Sequence, residues 1–371
     1  MKVLQISNFY PPHMGGIETV AWELTEGLNR QGVATDVLCA HDRARTEHEQ
    51  ASSGYRVTRA SSWGLFMSAA VAPALLLHAW RARRGYDIWH VHMPNPIAAL
   101  AVSVARPRSR IVVHWHSDVV RQRRVLWLYE PLQRWLLARA DAIVATSPAY
   151  LEASQPLQPW LCKARVVPIG ISPRKLTPGA LTPQDIRRRV QGRRIVFALG
   201  RMIYYKGFEV LVDAAHSLPD DCVVLIGGDG PLHAQHQARV NAAGLQHKVR
   251  LLGTIPEADL AAYYEACDVF CLPSVARSEA YGVCVLEAMA VGKPVVTSSI
   301  EGSGVSWVNE HGKTGLQFPV GDSAALASAI RRLLADDQLR VRMGRAAADR
   351  YRQELTAQQM VRRFMDVYCG G

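Results

Sequence analysis

Short, continuous apolar runs separated by stretches of helical periodicity recur along this chain, and they do so in two series. KVLQIS opens the first, followed by a helical pattern from Ile17 to Gln31 that stops at Gly32, then by ATDVLCA, DIWHVHM, RIVVHWH and DAIVATS. A strand that is apolar on both faces needs cover on both, and intervening helices supply it, so the pattern predicts a parallel sheet between helix layers. From Pro168 to Ile186 the rhythm breaks in PIGISPRKLTPGALTPQDI, whose prolines and glycines read as a connection between domains. It restarts with RRIVFALGR, a helix from about Gly207 to Ser217, then CVVLIGG, KVRLLG, DVFCLPS and KPVVTSS. The expected class is α/β: one parallel-sheet domain over residues 1–170 and a second over 171–355. A final helical segment, 356–371, is a candidate to return to the first. Such sheets bind ligands beyond the carboxyl ends of their strands, and two of them facing one another would enclose a cleft.

A chain of 371 residues, 49% hydrophobic and 20% charged, is long enough for two such cores. The opening MKVLQIS has one basic residue and too brief an apolar run for a signal peptide, so a cytoplasmic protein is expected. None of the seven cysteines forms a C-x-x-C pair, and Cys267 and Cys271 have no histidine at zinc-ligand spacing, which points to free thiols in the core.

The formal net charge of +11 is concentrated: His78 to Arg139 carries eleven arginines against Asp87, Asp118 and Glu130. Within it, RQRRVLWLYEPLQRWLLARAD interleaves Arg121, Arg123 and Arg124 with Trp127, Tyr129 and Trp135, the composition of a basic amphipathic element on an anionic membrane surface. A solvated helix face is the plainer alternative. No zinc-finger, homeodomain or RNA-recognition pattern accompanies the charge, so no nucleic-acid partner is expected. Trp63 to Trp80 approaches membrane-spanning length, but Pro73 interrupts it, and a buried or interfacial helix accounts for it better.

SEAYGVCVLEAMAVGKPVV sets Glu279 and Glu287 on either side of a helix start. Residues 282–291 have helical character, and Gly292 with Pro294 supplies a stop, so Glu287 lies inside the helix and Glu279 just before it. Free N–H groups at a helix amino end favour phosphate oxygens. A nucleoside diphosphate sugar anchored there would direct ribose hydroxyls to one carboxylate and sugar hydroxyls to the other. The alternative is a capping Glu279 and a buried or salt-bridged Glu287.

Glu-x7-Glu followed by AMAVGKPVV resembles the signature of the retaining glycosyltransferases of family 4, whose GT-B fold joins two Rossmann-like domains. LGRMIYYKGFEVLVDAA is similar to that family's basic loop after the first strand of the second domain. GGDGPL, LLGTIPEADLAAYYEACDVFCLPS and HMGGIETV match further segments in order, so the resemblance covers nearly the whole chain. It implies that Glu287 binds the donor ribose, Glu279 the transferred sugar, and Arg201 and Lys206 the diphosphate, with Tyr281, Gly282 and Val283 beside them. Gly15 and Gly16 would let backbone approach the ligand closely. In HWHSD, His116 resembles the family histidine beside the reacting sugar; His114, on the same strand face, competes for that assignment, and Asp118 follows two residues on. No Asp-x-Asp motif is present, and Asp220-Asp221 reads as a turn, so neither metal nor cofactor is expected. The resemblance also implies front-side attack with retention, and Glu279 positions and stabilises charge, although a carboxylate there could in principle be a nucleophile.

Two features depart from the family. The linker reads IGIS, Ile169 to Ser172, where Asn-Gly-Val/Ile-Asp is frequent, and Tyr281 stands where Phe is common. SIEGSGVSWVNEHGKTGLQF, WHSDVVRQ and RMIYYKGFEVL look most like bacterial O-antigen or exopolysaccharide mannosyltransferases. The expectation is transfer of mannose from GDP-mannose, with a UDP-hexose as competitor, to a lipid-linked saccharide acceptor on the inner face of the cytoplasmic membrane. An epimerase on the same fold or a non-catalytic nucleotide-sugar-binding protein stays open. A dehydrogenase is disfavoured because no G-x-G-x-x-G follows the first strand.

Overall fold

The computed structural model describes residues 1–13, 15–66, 69–119 and 123–370, with side chains throughout these spans except at 65, 66, 69, 123–126 and 128. Contacts divide the chain into two compact units, Met1–Ser172 with Ala357–Gly371, and Pro173–Thr356.

In the first unit the apolar runs form an eight-stranded sheet. Its strands are β1 (Lys2–Ile6), β2 (Ala34–Ala40), β3 (Glu47–Gln50), β4 (Arg56–Ala60), β7 (Ile88–Met93), β8 (Arg110–Trp115), β9 (Ala142–Ala145) and β10 (Ala164–Val166). A separate antiparallel pair, β5 (Leu65–Phe66) and β6 (Ala69–Ala70), precedes β7. The order is β10-β9-β8-β7-β1-β2-β4-β3, parallel except where the polar, exposed β3 runs against β4 at the edge. Central β7 is buried along its whole length, as a strand covered on both faces must be. Register pairs Gln5 with His90 and His92 with His114, and alternation along each strand puts Gln5, His90, His92 and His114 on one face.

The helix Ala357–Cys369 packs on that face: Phe364 lies against His90 and His114, and Tyr368 against His90. Its start is tied by Ala357 N–H donating to the Ile171 carbonyl at 3.0 Å, its end by Arg110 donating to the Val367 carbonyl at 3.1 Å. It also packs against the helix Gly16–Arg30, whose Val20, Ala21, Leu24 and Leu28 face inward. The two approach closely at Gly27, where an added Cβ would stand 2.4 Å from Val361 Cγ2.

The second unit has six parallel strands, β11 (Arg194–Leu199), β12 (Cys222–Gly227), β13 (Val249–Gly253), β14 (Val269–Leu272), β15 (Val295–Ser298) and β16 (Gly315–Phe318). Their order, β13-β12-β11-β14-β15-β16, is that of a Rossmann sheet, with the direction of winding reversing between β11 and β14. Phe197, Phe270 and Tyr264 pack edge-on and tilted against one another around the start of this junction, and Val196, Ala198, Leu211, Val224, Ile226 and Cys271 fill the core beside them.

Three expectations are corrected. Trp63 to Trp80 is not one helix: Gly64 takes φ +122° into the β5–β6 pair, and the helix Ala74–Ala82 starts only after Pro73, whose fixed φ suits a helix entry. Among the described residues no helix is long and apolar enough to cross a membrane. The proline-rich stretch ends before Ile186, because Thr182 and Asp185 form a reciprocal capping box that starts the helix Pro183–Arg189. Of the free cysteines, Cys39, Cys222, Cys267 and Cys271 are buried, but Cys162 and Cys369 are exposed.

Replacing Gly27 with Leu should force the two helices of the first unit apart. Overpacking of this kind costs about 1–3 kcal/mol, so the urea midpoint should fall; an unchanged midpoint would mean that the helices are not held at this separation.

Candidate active site

In a parallel sheet the reversal of winding leaves the loops after the two central strands free to diverge and receive a ligand. In the second unit those loops follow β11 and β14, and glycines let them meet. Gly207 has φ +65°, and a Cβ there would fall 2.1 Å from the Pro273 carbonyl oxygen. Gly228, at φ +113°, is pressed equally close to the Gly200 carbonyl. The Lys206 side chain then runs across Gly200, and its Nζ donates to Glu279 Oε2 at 2.5 Å. Ser274 Oγ donates to the same oxygen at 3.1 Å, and Ser303 Oγ to the Glu279 carbonyl at 2.5 Å. Burial works against the Lys206 charge, but the Glu279 carboxylate outweighs it and holds the ammonium above its ordinary range. Arg201, on the same loop, is exposed.

The helix Val283–Ala290 begins immediately beyond. Gly282 precedes it at φ +81°, a conformation that suits glycine, and Tyr281 is buried near Trp307. Glu287 sits in the second turn with both oxygens engaged: Arg174 Nε donates to Oε1 at 2.6 Å and the Tyr264 hydroxyl to Oε2. Arg174 also pairs with Glu257. Burial and the neighbouring Glu287 carboxylate push the Tyr264 hydroxyl well up, so it remains a donor. The structure therefore brings Lys206 and Glu279 into direct contact and places Glu287 in a separate hydrogen-bonded network on the adjacent helix. The sequence reading had assigned Lys206 to an anionic ligand and Glu279 to sugar hydroxyls, not to one another.

The first unit repeats the plan. Winding reverses between β1 and β7, and the loop after β1 leads through Gly15 into the helix Gly16–Arg30. Gly15 is extended, and a Cβ there would come within 2.5 Å of Glu18 Oε2, so the Glu18 carboxyl curls back on the helix start; burial raises its pKa. His116 lies one residue beyond β8 and its N–H donates to the Met93 carbonyl at 2.9 Å. Of the two competing histidines, His114 is within the strand and fully enclosed, whereas His116 is at the carboxyl edge. Asp118 accepts from Trp115 Nε1 at 2.9 Å and from Ser154 Oγ at 2.6 Å, which makes it a clamp on its own loop. Ser172 of the IGIS linker donates its N–H and hydroxyl to the two oxygens of Glu23 at 2.6 and 2.8 Å.

Four histidines form two hydrogen-bonded pairs: His90 Nε2 to His114 Nδ1 at 3.2 Å, and His92 Nδ1 to His116 Nε2 at 2.8 Å. Tyr368 closes the first on His90 Nδ1 at 2.8 Å, and Gln5 Oε1 the second on His92 Nε2 at 2.8 Å. Burial pushes His90 and His116 down to about 3, and His92 and His114 well below the ordinary range. Among the described residues, His90, His92 and His114 are the group with metal-ligand chemistry, their nitrogens within 4.8 Å of one another. Bonds of about 2.1 Å to a tetrahedral ion need nitrogens about 3.4 Å apart, and these nitrogens already serve each other, so the rings would have to move. Sequence reasoning missed Arg174, Tyr264, Ser274, Gln5 and His92: Tyr264 and Ser274 lie in a segment that matches the family but carry no spacing that singles them out, and the others are recruited by register or from a loop.

Two family models divide the chain between them: one for glycosyltransferase family 4 matches residues 14–175, and one for glycosyl transferases group 1 matches residues 184–350. The O-antigen chain mannosyltransferase C of Escherichia coli is 32% identical over 99% of this chain and 98% of its own. The chain is a family 4 glycosyltransferase. The D-rhamnosyltransferase WbpZ of Pseudomonas aeruginosa is 33% identical over 95% of this glycosyltransferase and 93% of its own length. Anabaena HepE, solved in complex with UDP and glucose, is 20% identical, aligns over 100% of both chains with a TM-score of 0.80, and shares the GT-B fold.

The buried histidines make the glycosyltransferase sensitive to acid. Their folded-state pKa values lie below the unfolded value near 6.5, so the unfolded chain binds more protons below that pH and stability falls as pH drops toward about 3. Each contributes a slope of up to about 1.4 kcal/mol per pH unit. Urea midpoints should therefore fall from pH 7 to pH 5, and the fall should be shallower in a His90→Gln, His114→Asn double variant. Equal slopes in the two proteins would show that these imidazoles are hydrated.

Proposed function

We propose that this glycosyltransferase moves mannose from GDP-mannose, with retention of anomeric configuration, to a lipid-linked oligosaccharide or surface-polysaccharide precursor. The observation that carries the reading is the buried Lys206–Glu279 pair at the edge where β11 and β14 part, beside the amino end of the helix that bears Glu287. The names of the relatives support the sugar: one is a mannosyltransferase, the other transfers D-rhamnose, which is 6-deoxymannose and keeps the same ring configuration.

In this reading Lys206 and Arg201 take the donor diphosphate, with the N–H groups at Gly282 and Val283 completing an anion cradle. Fixed cations there stabilise the charge that gathers on the departing GDP, so the reaction requires no metal. Glu287 exchanges Arg174 and Tyr264 for ribose hydroxyls, and Glu279 holds hydroxyls of the mannose near Tyr281. Gly15 and Gly16 allow backbone to approach the ligand, and His116 contacts a saccharide hydroxyl. The C1–O bond to GDP breaks as the acceptor oxygen bonds C1 on the same face, and the acceptor proton passes to a phosphate oxygen of the leaving GDP.

Peripheral attachment to the inner face of the cytoplasmic membrane fits the helix Arg123–Arg139. It buries Gln133, Leu136 and Leu137 and exposes Trp127, Pro131, Arg134, Trp135 and Ala138 along its opposite side, with Trp127 67% exposed. Aromatic and basic residues sharing one exposed face suit an anionic lipid surface. Arg121 lies outside the described residues, as do the side chains of Arg123 and Arg124.

The purified protein, screened with GDP- and UDP-sugars for thermal stabilisation and nucleotide release, should respond most to GDP-mannose. Glu287→Ala should chiefly raise the donor Kd, and Glu279→Ala should lower kcat by about 100-fold with a smaller change in KM. A response confined to UDP-sugars would reassign the donor, and full activity in both variants would remove the site. Replacing Trp127 and Trp135 with Ser should weaken sedimentation with vesicles rich in phosphatidylglycerol at least about tenfold; unchanged sedimentation would reject attachment through this face.

A further inference from the structure

The second histidine pair has a direction. Gln5 presents its carbonyl oxygen to His92 Nε2 at 2.8 Å, and a carbonyl oxygen only accepts, so the proton resides on His92 Nε2. A neutral imidazole carries one N–H, which leaves a lone pair on His92 Nδ1. That lone pair faces His116 Nε2 at 2.8 Å, so His116 is the donor there and its own proton sits on Nε2. His116 Nδ1 is then a bare lone pair. It is buried and has no hydrogen-bond partner among the described residues, as is also true of Gln5 Nε2 and His114 Nε2 in the same cluster. An isolated imidazole divides its proton between both nitrogens, whereas this one is committed by an amide two residues of contact away.

We propose that Gln5 and His92 are positioning residues that hold His116 in its Nε2–H form, so that Nδ1 is offered as a hydrogen-bond acceptor to a hydroxyl of the bound saccharide. The proposal rests on the reading above that His116 meets the saccharide, and adds to it what the histidine can recognise. A hydroxyl can donate to that lone pair; a carbonyl or a fully ionised phosphate oxygen in the same place would set two acceptors against each other. The pairing lies inside the first unit, between β1, β7 and the end of β8. The other groups facing it are His90 and His114 on the same sheet face, with Phe364 and Tyr368 from the Ala357–Cys369 helix. All of them are neutral, so among the described residues no fixed charge overrides the tautomer that the amide selects.

The tautomer can be read directly on the full-length protein with 15N-labelled histidine, through long-range proton–nitrogen NMR correlations. The expected result is a pyridine-like Nδ1 and a pyrrole-like Nε2 for His116. In Gln5→Met the two His116 nitrogen signals should shift toward a mixture, with kcat reduced about tenfold, the equivalent of one well-formed hydrogen bond, and donor KM little changed. His92→Leu should do the same, and His92→Asn, whose side-chain oxygen can accept from His116 Nε2–H, should restore most of kcat. A protonated Nδ1 in the unaltered protein overturns the proposal, because a Gln5 amide turned end for end reverses every proton in the pair. Wild-type kcat in folded Gln5→Met and His92→Leu, with His116→Ala inactive, also overturns it while sparing the functional reading. Wild-type transfer by His116→Ala, with the expected nitrogen shifts still present, instead removes the reading that His116 meets the saccharide.

Discussion

A lysine ammonium and a glutamate carboxylate in direct contact, each about nine-tenths withdrawn from water, set the terms for the second unit. Taking two such charges out of water costs several kcal/mol per ion before they attract one another, so a pair of this kind is weak support for stability and better understood as a device of specificity. It exists only because the backbone allows it. Gly207 and Gly228 admit approaches that any side chain would block, the first setting the loop after β11 against the loop after β14 and the second setting the end of β12 against the loop after β11. The result is a site held neutral by its own residues. In the proposed reading, an anion can share the ammonium without leaving an unpaired carboxylate, because Ser274 also donates to Glu279.

The same economy appears at Glu287, whose oxygens are occupied by Arg174 and Tyr264. A ligand with two hydroxyls must replace two donors of comparable geometry, so recognition there is an exchange of hydrogen bonds and its net gain depends on how well the newcomer matches both. In the first unit the polar interior is handled differently: burial keeps four imidazoles neutral, an amide and a phenol engage His92 and His90 at one end of each pair, and His116 Nδ1 and His114 Nε2 at the other ends have no partner among the described residues.

Much of the architecture was legible in the residues. Continuous apolar runs marked the strands of both sheets because parallel strands are buried on both faces, and Gly292 with Pro294 marked the end of the helix that carries Glu287. The placement of Glu279 before that helix and Glu287 within it follows from spacing alone. What spacing could not convey is which strand lies beside which. Gln5, His92 and His116 are adjacent only through the register of β1, β7 and β8, and His92 looks like any alternate residue of a buried strand. Arg174 was hidden in a proline-rich stretch that reads as a connection, yet it reaches Glu287 across more than a hundred positions. In the sequence Asp118 has only a place two residues beyond His116 in HWHSD, and nothing in that spacing shows that Trp115 and Ser154 both donate to it.

The helix Ala357–Cys369 belongs to the first unit although the whole second unit lies between it and Ser172. On the ribosome, therefore, the segment Pro173–Thr356 emerges complete and can reach its own fold while the sheet of the first unit still lacks a cover over its histidine face. Until that last helix is released, Gln5, His90, His92 and His114 stand open to water, where protons and stray ions can reach them. Maturation of the first unit thus waits on the release of this helix, and its docking dries a polar patch.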